Sequence, residues 1–110
     1  MIKELAVTAF IPSELHTIWD VRDAKAYTEA HLQYAKNQPL ETINDQLLAM
    51  IPVVKPIYVL CGGGTKAGRA AALIESLDSQ REVIILTGGT RAAKAVGMVV
   101  EGSLTQLPSH

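Results

Sequence analysis

Two short apolar runs most constrain the fold. "IYVLC" (57–61) and "EVIILT" (82–87) carry almost no polar residue between their turns. A half-exposed strand alternates apolar and polar residues, so near-continuous apolar runs of this length mark strands buried on both faces. Each run breaks into glycines, at 62–64 and at 88–89, and a segment with helical spacing follows. Strands that alternate with helices give an α/β fold, a mainly parallel sheet covered by helices on both faces. Ligands of such sheets bind at the carboxyl ends of the strands, and Cys61 stands at such an end.

The rest of the chain fits that frame. "HTIWDVRD" reads as a short strand, with Ile18, Trp19 and Val21 favouring it. Asp23 is placed to cap a helix over "AKAYTEAHL". "QYAKNQP" reads as a connection. "LETINDQLLAMI" has Leu40, Ile43, Leu47, Leu48 and Ile51 at helical spacing and is expected to be one helix ended by Pro52. "AGRAAALIESL" is expected to turn Ala67, Ala70, Ala71, Ile74 and Leu77 to the core. "TRAAKAV" is a last short helix, which Gly97 is placed to end. "IKELAVTAF" reads as an edge strand. At 110 residues, one domain over 1–110 is expected, its core about 15–102 and its polar tail 103–110.

Charge and cysteine count exclude several functions. The net charge is −1, and the cations are scattered without interleaved aromatics, so nucleic-acid binding has no footprint. No apolar run reaches bilayer length. The single cysteine allows no internal disulfide, suits a reducing compartment and removes zinc sites built on cysteine pairs. Neither a metal nor a cofactor is expected. "MIKELAVTAFIPSEL" is a poor secretory signal because Glu4, Thr8 and Pro12 interrupt it. With Met1 as the native start the expected location is the cytoplasm; a removed signal would make it the periplasm.

The cysteine opens the stretch "CGGGTK", residues 61–66. A loop from a strand to a helix N-terminus aims unpaired backbone N–H groups outward, and glycines let them converge. The helix dipole and Lys66 add positive charge, which makes an anion cradle. Electropositive surroundings of this kind favour the nucleophilic thiolate. A lone cysteine after an apolar strand is often a small core residue, but a core residue has no use for three glycines and a lysine.

Other glycine-loop readings fail on particular residues. "GGTKAGRA" (63–70) nearly spells a nucleoside-triphosphate loop, but Arg69 replaces the lysine and Ala70 the magnesium-binding hydroxyl. "GGGTKA" fits a permissive dinucleotide pattern, but the next strand ends in "IILT" with no acidic residue for a ribose.

Three blocks together resemble the rhodanese family, in its small single-domain form, over roughly residues 15–102. These are "IWDVRDAKAYTEAHL", "IYVLCGGGTKAGRAA" and "EVIILTGGTRAAKAVG". The resemblance implies a rhodanese-type α/β fold and a thiosulfate sulfurtransferase, with Cys61 as nucleophile and carrier of a persulfide. It assigns Gly62, Gly63, Gly64, Thr65 and Lys66 to the loop that binds donor and persulfide. Asp20 and Arg22 match a D-V-R block that braces the site, and His31 a scaffold histidine. Arg69, in the first turn of the next helix, faces either the pocket mouth or solvent. The implied partners are a small anionic sulfur donor and a thiol or protein acceptor, and the expected state is a monomer or weak homodimer. Related phosphatases need an arginine at position 67 to grip phosphate bidentately; this chain has Ala67. Tyr34 where a small turn residue is usual, and the lack of a tryptophan after Gly89, depart from the family pattern. A protein-to-protein persulfide relay is the alternative function.

Overall fold

The computed structural model describes residues 1–101; the polar tail proposed for 103–110 lies outside them. Seven strands and four α-helices run in the order β1 (Ile2–Ala6), β2 (Thr17–Asp20), α1 (Ala24–Glu29), β3 (His31–Leu32), β4 (Lys36–Asn37), α2 (Asp45–Ala49), β5 (Ile57–Leu60), α3 (Lys66–Leu77), β6 (Val83–Thr87), α4 (Gly89–Ala95) and β7 (Val99–Val100). Five strands form one sheet in the order β1-β6-β5-β2-β4, and each pairing is parallel. Strands β3 and β7 form a small antiparallel pair. No helix among the described residues is long and apolar enough to cross a membrane.

The apolar runs are explained by two cores, one on each face of the sheet. Neighbouring strand residues divide between them: Trp19 and Val59 pack with Ile57, Ala70, Ala71 and Ile74 of one core. Ile18 and Leu60 pack with Val7, Phe10, Leu32 and Leu86 of the other. Alternate side chains leave opposite faces of a strand, and helices or turns cover both faces here, so the central strands are apolar on both faces. Strand β1 takes the edge beside β6, but the edge strand expected over 2–10 stops at Ala6, and Val7–Ala9 forms a single 3-10 turn.

Four further expectations need correction. The helix over 40–51 is split: Leu40–Thr42 is a single 3-10 turn, and α2 covers only Asp45–Ala49. Asn44 stands between them in an extended conformation and caps α2 through its side chain, which accepts from the Leu47 N–H at 2.8 Å. A residue that satisfies a helix start ends whatever helix precedes it. The helix expected through Leu32 stops at Glu29, and His31 and Leu32 pair instead with β7. The connection at 33–39 contains an edge strand, β4, held by β2. Leu77, expected in the core, is 41% exposed at the end of α3. Gly97 does end α4, with φ of 77° and its N–H bonded to the Lys94 carbonyl at 3.1 Å.

Candidate active site

Strand β5 delivers Cys61 at its carboxyl end, and four residues separate it from the first residue of α3. The thiol is 5% exposed. Its Sγ accepts a hydrogen bond from the Ala67 N–H at 3.4 Å, one of the N–H groups that a helix start leaves without an internal partner. The sulfur therefore sits on the positive end of α3. Among the described residues Ala67 supplies the hydrogen bond to Sγ, whereas the sequence alone suggested several convergent donors.

The backbone on either side of the sulfur is clamped by the turn after β6. The Cys61 carbonyl accepts from the Thr90 N–H at 2.8 Å and from the Thr90 hydroxyl at 3.1 Å. The Gly62 carbonyl accepts from the Arg91 N–H at 3.1 Å. Such an approach demands glycine at 89, where φ is +60° and a Cβ would stand 2.8 Å from the Gly63 nitrogen. Thr90 is a site residue that the sequence reading missed, because the chain separates it from Cys61 by 29 positions. The glycine pair at 88–89 was its one visible signal.

A cavity of about 330 Å³ opens over the sulfur. Gly63, Gly64 and Thr65 line it on the loop side, with Ala67 and Gly68 from α3 and the Thr87–Gly89 turn opposite. Among the described residues, Glu4 of edge strand β1 is its single charged lining residue. Lys66 opens α3 but does not line this cavity, and Gly62 faces a neighbouring groove. Arg69 is exposed to solvent and lines neither space.

Asp20 and Arg22 brace the site from the side. Asp20 is fully buried, and its carboxylate accepts from Arg22 Nη2 at 2.8 Å and from Arg22 Nε at 3.0 Å. The same Nη2 donates to the Ala30 carbonyl at 2.6 Å. Charge-assisted pairs of this kind hold both groups in one geometry. Arg22 Cδ lies 3.9 Å from where a Cβ on Gly62 would be, so the arginine stem backs the loop. His31 stacks on Tyr27 with ring centroids 3.9 Å apart, and its Nδ1 is 2.9 Å from the Tyr27 carbonyl. It is scaffold beside α1. Burial, and then the nearby Asp20 carboxylate, push the Tyr27 phenol above its ordinary pKa.

Comparisons with known proteins agree with this fold. The Rhodanese-like domain family matches residues 6–95. A solution structure of the rhodanese-like domain of an Anabaena protein is 29% identical, with a TM-score of 0.70 over 86% of this chain and 72% of that one. A crystal structure of such a domain from the same Anabaena protein is 31% identical, with a TM-score of 0.68 over 77% of this chain and 98% of that one. A rhodanese-like domain protein from Staphylococcus aureus shares the fold at 22% identity, with a TM-score of 0.67 over 82% of this chain and 89% of that one. No curated protein sequence matches.

Proposed function

We propose that this chain, which belongs to the rhodanese-like domain family, is a sulfurtransferase that carries sulfane sulfur on Cys61. The supporting observation is the placement of the one thiol at the positive end of α3, its Sγ bonded to the Ala67 N–H at 3.4 Å, beneath a cavity of about 330 Å³. In the proposed first step the Cys61 thiolate attacks the outer sulfur of thiosulfate. The sulfur–sulfur bond of the donor breaks, and sulfite leaves with the electron pair. Cys61 then carries a persulfide, whose terminal sulfur occupies the space under the glycine loop. In the second step an acceptor attacks that terminal sulfur, and Cys61 leaves as thiolate. Cyanide would leave as thiocyanate, a thiol as its persulfide. No net oxidation occurs, and ping-pong kinetics follow.

Glu4 favours a second form of the same chemistry. A carboxylate as the one charged residue lining the cavity among the described residues opposes a dianionic donor by like-charge repulsion. A relay, loaded by another protein's persulfide and slow on thiosulfate, fits that charge. The monomer or weak homodimer, the cytoplasmic location and the protein partner belong to this proposal as well.

The test is intact mass after thiosulfate, together with thiosulfate-to-cyanide transfer, for the wild type and Cys61→Ser. A gain of one sulfur with turnover, both lost in Cys61→Ser, is the expected result. Mass gain without turnover would select the relay. If neither thiosulfate nor a protein persulfide donor adds sulfur to Cys61, the proposal fails.

A further inference from the structure

Against the same cysteine loop lies a second space, a groove of about 290 Å³ bordered by Gly62 and Thr90. Its charged lining residues are Arg22, Glu29, Arg91 and Lys94. Arg22 is already neutralised by Asp20. Arg91 and Lys94 make no ion pair among the described residues, and they lie one turn apart on α4. The Arg91 guanidinium reaches over the loop, with Cζ and Nη1 each 3.7 Å from where a Cβ on Gly63 would stand. Glu4 thus lines the cavity over Sγ, and the groove beside the loop has two cations without an ion pair among the described residues and one carboxylate.

We infer that Arg91 and Lys94 form a carboxylate-binding subsite for the sulfur acceptor, an acidic peptide thiol that spans the Gly62–Gly63 backbone. The inference rests on the reading of Cys61 as a sulfur carrier and assigns the acceptor class for that site. Arg91 attracts a carboxylate by its charge. Lys94 adds a second charge, and Glu29 faces the ammonium of an amino-acid end. The thiol of such a peptide enters the cavity beside Cys61 and attacks the terminal sulfur of the persulfide. The bond from that sulfur to Cys61 breaks, a new sulfur–sulfur bond forms on the peptide, and the electron pair returns to Cys61. Arg91 and Lys94 touch the acceptor away from the reacting atoms and set specificity.

Glutathione is a suitable probe because it joins one thiol to two carboxylates and an ammonium. Exposed ion pairs contribute modestly, so the two together are expected to give about a fivefold effect. The persulfide, loaded by whichever donor succeeds, is discharged by glutathione and by uncharged 2-mercaptoethanol. In Arg91→Gln/Lys94→Gln the ratio of the glutathione rate to the 2-mercaptoethanol rate should fall about fivefold, and Arg91→Lys alone should keep most of it. An unchanged ratio would overturn the subsite. A binding measurement separates this failure from failure of the sulfur chemistry. S-methylglutathione, which has the charges and no thiol, is titrated into the unloaded chain and followed by amide NMR shifts. Saturable shifts at Gly62, Thr90 and Arg91, about fivefold weaker in the double variant, are the expected outcome. No saturation at those amides up to about 10 mM, or equal affinity in the variant, would refute the subsite even in a chain that carries sulfur on Cys61.

Discussion

Gly89 lies against the carbonyl of Cys61 so closely that a Cβ on it would drive into that oxygen, and its φ of +60° is one that side-chain-bearing residues rarely adopt. Two costs therefore act together on any substitution, overpacking against backbone and a left-handed conformation. Gly89→Ala should lose about 2 kcal/mol or more. It should also displace Cys61 and slow sulfur uptake by more than tenfold. Gly64 has open space where its Cβ would be and no positive φ, so Gly64→Ala should leave the melting temperature nearly unchanged. Equal melting temperatures for the two variants would contradict the clamp.

Thr90 holds the same carbonyl from the side-chain direction, its hydroxyl 3.1 Å away and buried. Thr90→Val keeps the shape and the N–H donor but removes the hydroxyl. A loss of about 1 kcal/mol in urea unfolding is expected. The rate of Cys61 alkylation at neutral pH should fall severalfold, and Thr90→Ser should restore it. If alkylation of Thr90→Val keeps the wild-type rate, the hydroxyl does not position the thiol.

Tyr27 ties stability to alkaline pH. Its hydroxyl donates to the Ala35 carbonyl at 2.5 Å, and burial followed by the Asp20 charge raises its pKa. Above about pH 10 the unfolded chain loses the phenolic proton while the folded chain keeps it. This contribution is complete below that pH and shrinks as pH rises towards the folded value. Tyr27→Phe should cost about 1 kcal/mol at neutral pH yet lose less stability than the wild type above pH about 10. Urea midpoints from neutral pH upward give the slopes, and parallel slopes would show that Tyr27 ionises alike in both states.

Arg81 is 2% exposed and fastens the segment between α2 and β5. Its guanidinium donates to the carbonyls of Leu48, Ile51, Pro52 and Lys55 at 2.5 to 3.1 Å, and Nε faces Asp78 at 3.3 Å. Lysine cannot fill four acceptors in that planar arrangement. Arg81→Lys should lose about 2 kcal/mol and Arg81→Met more, since each buried acceptor left open has its own penalty. Calorimetry that shows Arg81→Met as stable as the wild type would remove Arg81 from this role.

Much of the fold was legible because local patterns carried it. The runs "IYVL" (57–60) and "VIIL" (83–86) are apolar throughout for a reason that survives to the tertiary level: each is covered on both faces. Position 44 shows where periodicity misleads. Leu40, Ile43 and Leu48 all meet one core at helical spacing, yet the Asn44 cap divides the segment. Strands β3, β4 and β7 are two residues each; pairing across the chain defines them, and no window of sequence that short shows a period.

The sequence by itself determined the α/β class, the one thiol, and its station between a buried strand and a helix start. Those follow from neighbours along the chain: apolar runs, glycines and helix-forming alanines. Only the tertiary structure decided what clamps the thiol and which charges surround it. Thr90 reaches Cys61, and Arg91 overlies Gly63, because parallel strands bring their ends and the turns after them to one side of the sheet, and Glu4 of the neighbouring edge strand lines the cavity there. The chain therefore gathers there residues from β1, the end of β5 and the start of α4 that no spacing rule connects. Lys66, next to the loop in sequence, lies outside the cavity for the same reason: it opens α3, and the direction of its side chain is set by the helix rather than by its distance from Cys61 along the chain.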